Sequence, residues 1–155
     1  MAQVYQKMKE NPFNLLLAED DPDDCLFFRE ALEELPLHIN LTTVNDGVEL
    51  MQQLRSSSDS LPDLVFLDLN MPRKTGVECL SEITGNSLFN RLPVVIFSTS
   101  FDLAIVSQLY EQGAYCYIRK PGDFSQLKRA IHEAITIITQ KPRVKPEKEN
   151  FVIEV

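Results

Sequence analysis

Carboxylates follow two apolar segments of the sequence and could bind a metal ion. Glu19 and Asp20 come directly after the run LLLA, and Asp68 comes directly after LVFL. Mutual repulsion among such groups costs free energy unless a positive charge offsets it. Mg2+ prefers oxygen ligands, takes one or two carboxylates directly and keeps water for the rest of its coordination. A backbone carbonyl just past Asp68, at Asn70, could supply a further oxygen.

Two other residues offer groups that suit phosphoryl transfer. Ser98 follows the run VVIF, and Lys120 stands in YIRKPGD. An ammonium and a divalent cation neutralise a phosphoryl group as it transfers, and a carboxylate can act as the nucleophile. Taken singly, Ser98 could cap a helix and Lys120 could be a surface charge. Together with the three acids they favour a site that forms an aspartyl phosphate.

The remaining acids of the run EDDPDD have a simpler interpretation as the start of a helix. Asp21 is predicted to be the N-cap, Pro22 to occupy the first helical position, and Asp23 and Asp24 to lie in the first turn. Each of these choices matches known helix-start preferences. The run therefore divides into two metal-site candidates, Glu19 and Asp20, and three acids that begin a helix.

Five apolar runs of strand length must position these residues. The first, third and fourth are almost continuously apolar, which is typical of parallel strands covered on both faces. Helical periodicity connects and follows the runs, so the chain contains five β/α units and a doubly wound parallel sheet. In such a sheet, ligands bind beyond the carboxyl ends of the strands. The predicted strands are Phe13–Ala18, Ile39–Val44, Leu64–Leu67, Val94–Phe97 and Tyr115–Ile118.

Composition excludes several classes of protein. The 155 residues suit one domain, and the net charge of −8 argues against a nucleic-acid surface. No apolar run reaches the length of a membrane span, and the N-terminus lacks the apolar core of a signal peptide. The widely spaced cysteines Cys25, Cys79 and Cys116 are predicted to be buried thiols in a reducing cytoplasm.

In combination, these motifs resemble the receiver domain of bacterial two-component response regulators. The resemblance runs from about Phe13 to Ile138, and the motifs agree in order and spacing, which makes the combination far more specific than any one of them. The matching motifs are the acid pair Glu19-Asp20, DLNMPRKTG with Asp68 and Gly76, Ser98 after the fourth strand, and GAYCYIRKP with Tyr117, Lys120 and Pro121.

The resemblance implies a flavodoxin-like α/β fold with a five-stranded parallel sheet of order 2-1-3-4-5 and five helices. It implies that Asp68 accepts a phosphoryl group from a phosphohistidine on a sensor histidine kinase or phosphotransfer protein. Mg2+ or Mn2+ would bind Asp20 and Asp68 directly, Glu19 through water, and the backbone carbonyl of Asn70.

It also implies a switch. Ser98 would hydrogen-bond the phosphoryl group and Lys120 would pair with it, while Tyr117 would turn inward as Ser98 moves. The Lys120–Pro121 bond is expected to be cis. Phosphorylation would then change a surface of the fourth helix, fifth strand and fifth helix, which we expect to bind a downstream protein. By sequence this face comprises Asp102–Glu111, Tyr115–Arg119 and Phe124–Ile138.

The expected organisation is an N-terminal extension at 1–12, a receiver domain at 13–140 and a flexible tail at 141–155. The tail is charge-rich up to Asn150, whereas its last five residues, FVIEV, are apolar enough to dock at a place that the sequence does not specify. We expect a stand-alone, cytoplasmic receiver without an output domain, similar to chemotaxis-type regulators and to those paired with bacteriophytochrome kinases. It would signal by protein contacts, without nucleic acid or membrane, and a homodimer is left open. The sequence does not indicate the stimulus, the target or the lifetime of the phosphoryl group.

Three alternatives share this fold, so the site must discriminate among them. A small Mg2+-dependent phosphatase of the haloacid dehalogenase type would want an acid two residues after the nucleophile, where Asn70 stands. A receiver-like module that binds partners without phosphorylation would not need the complete set of five polar residues. A flavin-binding module would need a phosphate loop rich in Ser, Thr or Gly after the first strand, and this sequence has acids there.

Overall fold

Five β/α units alternate along the chain, as the apolar pattern predicts. The computed structural model describes residues 3, 11–141 and 145–154. The strands of these units are β1 (Phe13–Ala18), β2 (Ile39–Val44), β3 (Leu64–Leu67), β4 (Val94–Ser98) and β5 (Cys116–Arg119). The helices are α1 (Pro22–Glu33), α2 (Gly47–Ser56), α3 (Gly76–Thr84), α4 (Leu103–Glu111) and α5 (Phe124–Gln140). A short 3-10 helix, Lys148–Asn150, and a further strand, β6 (Val152–Ile153), follow them.

The strands form one sheet in the order β2-β1-β3-β4-β5-β6, and every neighbouring pair is parallel. The first five positions confirm the predicted order. From β1 the chain first adds β2 on one side and then returns to add β3 on the other side. This change of direction creates a topological switch point beyond the carboxyl ends of β1 and β3. Helix α1 packs beside α5, and α2 packs beside α3. No helix among the described residues is long and apolar enough to cross a bilayer.

The core is built on the three central strands, which are buried on both faces. Every residue of β3 and β4 is buried. Phe66 of β3 lies edge-on to Phe28 of α1 at 5.0 Å between ring centroids, and at 5.9 Å to Phe97 of β4. Such aromatic contacts stabilise beyond the area that they bury. This packing fixes α1 against the sheet and hence fixes the loop between β1 and α1.

Side-chain caps determine where each helix begins. Asp21 caps α1 by accepting hydrogen bonds from the backbone N–H groups of Asp23 and Asp24, which confirms the predicted helix start. The other four helices also begin at a capped residue, and α3 has a complete capping box. These N-caps are Asp46, Thr75, Asp102 and Asp123.

The three cysteines are free thiols, as predicted. Cys79 and Cys116 are buried, while Cys25 is only half-buried. Burial raises the pKa of the Cys79 thiol to about 11, so that thiol is protonated and unreactive at neutral pH.

The end of the chain differs from the prediction of five strands and a flexible tail. Residues 152–153 form β6 beside β5, and Phe151 and Ile153 are buried with 1% and 6% of their surface exposed. The charge-rich composition of residues 141–150 suggested a solvated segment. Burial of two alternate apolar side chains, which depends on a surface distant in sequence, holds the last residues on the sheet instead.

We predict that Phe66→Ala lowers the free energy of unfolding by about 3–5 kcal/mol, because it removes a ring packed among buried rings. Urea denaturation followed by circular dichroism measures the change. Leu88→Ala is the control: Leu88 is 65% exposed, and surface substitutions usually change stability by less than about 0.5 kcal/mol. Equal losses in the two variants would contradict this description of the core.

Candidate functional site

Three carboxylates converge beyond the carboxyl ends of β1 and β3. The strand register pairs Ala18 with Leu67, so the residues that follow each strand lie at the same edge of the sheet. Carboxylate oxygens of Glu19, Asp20 and Asp68 lie within 4.8 Å of one another. Glu19 and Asp68 are only 1% and 5% exposed, whereas Asp20 is exposed. The predicted acid cluster is therefore assembled, and its donor oxygens suit a hard divalent cation.

Lys120 points into this cluster from the end of β5. Its Nζ donates to Glu19 and lies 3.0 Å from Asp24 Oδ2 and 3.5 Å from Asp68 Oδ2. Its backbone N–H donates to the carbonyl of Ser98 at 2.8 Å, which ties the ends of β4 and β5 together. One ammonium group thus balances part of the negative charge that β1, β3 and α1 bring together.

Asp24 is a member of the cluster that the sequence analysis placed only at the start of a helix. It lies in the first turn of α1, and its carboxylate accepts from Lys120. A signal was available, since an acid in the first turn of a helix that starts at the sheet edge lies close to that edge. Helix-start chemistry explained the residue fully, so the second role was missed.

The shifted pKa values of Glu19 and Lys120 reflect the close packing of charged groups in the cluster. Burial and the neighbouring Asp68 raise the pKa of Glu19, the bond from Lys120 opposes the shift, and the resulting pKa is about 8. Burial lowers the pKa of Lys120, but its contacts with Glu19 and Asp24 outweigh burial and raise that pKa above its usual value. Lys120 therefore remains charged, and the raised pKa of Glu19 shows that one ammonium group does not fully offset the burial of this carboxyl.

Ser100 connects the hydroxyl group of Ser98 to the side chain of Tyr117 through hydrogen bonds. Its backbone N–H donates to Ser98 Oγ at 3.2 Å, and its carbonyl accepts from the hydroxyl of Tyr117. Asn70 Nδ2 lies 3.4 Å from Ser100 Oγ, across the entrance to Asp68. Ser98 and Tyr117 are both completely buried, so the ring of Tyr117 is turned inward in this structure. Ser100 is the link that sequence reasoning did not assign.

The loop after Asp68 is held by close backbone packing and one ion pair. A Cβ atom at Gly76 would lie 2.3 Å from the carbonyl oxygen of Asp68, so only glycine fits there. Arg73 adopts a positive φ of 65° and pairs with Asp46 at 2.7 Å. This pair fastens the loop to the start of α2, and the sequence analysis did not foresee it.

The Lys120–Pro121 bond does not match its expected geometry. The described residues contain no cis peptide bond, so this bond is trans. The free-energy difference between the two isomers of an X–Pro bond is small, so the residue pair alone does not determine the isomer.

A family comparison decides what the site belongs to. The model of the family described as "Response regulator receiver domain" matches residues 15–132, which include all the clustered acids, Ser98 and Lys120. The chain belongs to the response regulator receiver domain family. As a receiver domain it is a phosphoryl-accepting signalling protein of two-component pathways and not a metabolic enzyme, which supports the receiver interpretation over the phosphatase and the flavin-binding module.

Two curated relatives show the range of pathways in which similar receiver domains act. The response regulator Rcp1 of Synechocystis sp. is 33% identical over 124 residues, which cover 77% of this chain and 84% of Rcp1. The probable methanogenesis regulatory protein FilR2 of Methanothrix harundinacea is 32% identical over 127 residues, with coverage of 80% and 82%. Identity at this level establishes the family and does not select a stimulus.

Solved structures agree with the fold and with metal binding. The phosphorylated cyanobacterial phytochrome response regulator RcpA is 34% identical with a TM-score of 0.74, covering 87% of this chain and 99% of RcpA. The Mn2+-bound form of Rcp1 is 31% identical with a TM-score of 0.72, with the same coverage. Receiver domains bind Mg2+ or Mn2+, and the cluster of Glu19, Asp20 and Asp68 provides suitable ligands in this receiver domain.

We predict that Lys120→Met strengthens Mg2+ binding by roughly five- to tenfold, or about 1 kcal/mol, because it removes a cation that competes for the same carboxylates. Isothermal titration calorimetry measures the dissociation constant. Lys128→Met is the matched control, since Lys128 pairs with Glu34 outside the acid cluster. Weaker binding in Lys120→Met would show that the ammonium organises the carboxylates more than it opposes the metal.

Proposed function

We propose that Asp68 is the phosphoacceptor and that this receiver domain takes its phosphoryl group from a phosphohistidine. The observation that carries the proposal is the position of Lys120 Nζ, 3.5 Å from Asp68 Oδ2 inside a cluster of carboxylates. Asp68 is almost buried, and the exposed Asp20 lies beside it at the entrance. A nucleophile, a cation site and an ammonium group thus share one opening.

In the proposed reaction, an oxygen of the Asp68 carboxylate attacks the phosphorus atom. The P–N bond to the donor histidine breaks, its electron pair returns to the imidazole, and the aspartyl phosphate forms. Asp20, Asp68 and the Asn70 carbonyl would hold Mg2+ directly, with Glu19 acting through water, and the metal would neutralise charge on the phosphoryl oxygens. Lys120 would pair with one of these oxygens and Ser98 would donate a hydrogen bond to another.

The link through Ser100 supports a switching role for Ser98 and Tyr117. A phosphoryl group adds a charge of about −1.5 to −2 and three strong acceptors beside Ser98 and Lys120. Movement of Ser98 toward it would change the bond between Ser98 and the Ser100 N–H, and thereby the carbonyl to which the Tyr117 hydroxyl donates. Tyr117 lies on β5, so the change would reach the face of α4, β5 and α5, which we call the output face.

We propose the output face as the docking surface for a downstream protein and a phytochrome-type kinase, such as a bacteriophytochrome, as the phosphoryl donor. The second assignment is supported by the likeness to RcpA, a regulator described as a phytochrome partner. We also propose a cytoplasmic location for this chain. We further propose residues 13–140 as the receiver domain proper, with residues 1–12 as an extension, most of which lies outside the described residues.

We predict that Asp68→Asn abolishes phosphorylation, because an amide cannot form the acyl phosphate. Wild type incubated with phosphoramidate and Mg2+ should gain one phosphoryl group in intact-mass spectra, and a chelator should prevent the gain. Asp63→Asn is the control: Asp63 immediately precedes β3, as Asp68 follows it, and its carboxylate accepts from the Asn14 N–H at the opposite edge of the sheet. A phosphorylated product that persists in Asp68→Asn would place the acceptor elsewhere.

We also predict that a phosphorylated phytochrome-type kinase transfers its phosphoryl group to this chain roughly tenfold faster than a kinase of another sensory class, a difference of about 1.4 kcal/mol in activation free energy. Loss of radiolabel from each kinase in a time course measures the rates. Equal rates would contradict the partner assignment and leave the role of Asp68 intact.

A further inference from the structure

The end of the chain covers the free edge of β5. Val152 and Ile153 pair in parallel with Tyr117 and Ile118, and the Tyr117 N–H donates to the carbonyl of Phe151 at 2.9 Å. Without this pairing, β5 would present unpaired backbone groups at the edge of the sheet, ready to accept another strand. We call residues 145–154 the tail segment.

Alternate side chains of the tail segment enter the protein. Phe151 and Ile153 are buried, whereas Val152 between them is half-exposed. The ring of Phe151 lies edge-on to the ring of Tyr110 in α4, with 5.3 Å between centroids. The tail segment therefore fills a groove between the edge of β5 and the side of α4, and β6 also packs beside α5.

Two lysines tie the same segment to α4. Lys145 Nζ lies 3.7 Å from the centroid of the Tyr110 ring and donates to the carbonyl oxygen of Tyr110. Lys148 Nζ donates to Ser107 Oγ at 3.1 Å. Because α4 and β5 are two of the three elements of the output face, the tail segment covers part of the surface that a partner would need.

The topology indicates that the tail segment is an addition to the sheet rather than one of its β/α units. Helix α5 packs beside α1, whereas a right-handed connection from β5 to β6 would require α5 on the opposite face, with α2 and α3. Almost all parallel crossovers are right-handed. Strand β6 therefore joins the sheet as a docked peptide would.

The part of the tail segment that is attached to the sheet is also short. Strand β6 has two residues and the preceding 3-10 helix has three, and residues 147–150 are exposed. Few buried apolar contacts and exposed backbone are the features of a segment that opens locally, well before the whole domain unfolds. The segment can therefore leave the groove while the receiver stays folded.

We propose that this groove is a binding site for an extended peptide, that the tail segment fills it in the same molecule, and that a downstream partner displaces it with a strand of its own. The proposal rests on the assignment of the output face above. Backbone bonds to β5 would supply affinity and the pockets for alternate side chains would supply specificity. The tail segment itself shows the pattern that fits, an aromatic residue, any residue, and then an aliphatic residue.

The cavity beside Ile153 adds a fourth position to the peptide pattern, after the aliphatic residue. This cavity has a volume of about 430 Å³, and its lining includes Phe101, Arg119 and Glu154. Arg119 is exposed and positive and lines the same cavity as Glu154, so an acidic residue after the aliphatic one would be favoured. The partner peptide is therefore expected to read aromatic, any, aliphatic, acidic.

The test compares full-length Phe151→Ala, which empties the aromatic pocket, with Val152→Ala, which trims the half-exposed neighbour. The probe is a fluorescein-labelled peptide with the sequence of residues 145–155, KPEKENFVIEV. Fluorescence anisotropy should show roughly tenfold tighter binding to Phe151→Ala than to wild type, because the vacated groove no longer has an internal competitor. Val152→Ala should bind the peptide as wild type does, and a peptide lacking the phenylalanine ring should not bind.

Hydrogen exchange of the Tyr117 amide gives a second readout, since this N–H donates to Phe151. Exchange should be faster in Phe151→Ala than in wild type, and Ile153→Ala should show the same direction. Phosphorylation by phosphoramidate must persist in these variants, which separates a vacated groove from an unfolded or inactive receiver.

Two results would overturn the proposal. One is equal peptide binding by wild type and Phe151→Ala together with an unchanged Tyr117 amide. The other is a wild-type dimer that Phe151→Ala converts to a monomer in sedimentation experiments, because the groove would then hold the tail of a second copy. Neither result would affect phosphorylation of Asp68, so failure here is distinguishable from failure of the proposed function.

Discussion

The balance of charge around Lys120 is the constraint on which the rest of the site depends. Glu19, Asp24 and Asp68 surround one ammonium group, and two of these acids are almost buried. Buried carboxylates are costly without compensation, and one lysine does not balance all of them. In the proposed function, a divalent cation would complete this arrangement, which would then accept the negative phosphoryl group.

The rigid framework makes this arrangement possible. The rings of Phe28, Phe66 and Phe97 hold α1 against β3 and β4, and the strand ends fix where each acid lies. Side chains on loops would otherwise move apart to relieve their repulsion. Gly76 lets the backbone of α3 approach the carbonyl of Asp68, and the pair of Arg73 and Asp46 fastens the intervening loop. The unfavourable electrostatics are thus tolerated because the packing around them is extensive.

The output face differs from the acid cluster, because the tail segment on it is held by few contacts. Tyr117 takes part in both regions, since its hydroxyl donates to Ser100 near the acids and its backbone N–H donates to Phe151 of the tail segment. The acid cluster is embedded in the core, whereas the tail segment is attached by two buried side chains and a few polar contacts. A short element of this kind suits exchange, because its release leaves the core of the domain intact.

Local pattern was sufficient wherever the physical cause was local or periodic. Short apolar runs predicted the bounds of β1, β2 and β3 as the structure has them, and the run EDDPDD predicted the N-cap of α1. Motif spacing also predicted that the acids, Ser98 and Lys120 lie at one edge of the sheet, and the structure places them there, since parallel strands bring their carboxyl ends together. The contact of Asp24 with Lys120, the link through Ser100, the pair of Arg73 and Asp46, and the trans bond before Pro121 were not predictable in this way.

The tail segment shows why some features were predictable from local sequence and others were not. Its charges and prolines describe a solvated segment when only neighbours in sequence are considered, and nothing local to Phe151 specifies a partner. Tyr110 and Tyr117 supply that partner from positions more than thirty residues away. The sequence by itself determined the strands of the five β/α units, the start of α1 and which polar side chains meet at the sheet edge, because these follow from short-range geometry and from strand ends. Only the tertiary structure decided which charges pair and what covers the edge of β5, because those outcomes depend on surfaces that exist only after the chain has folded.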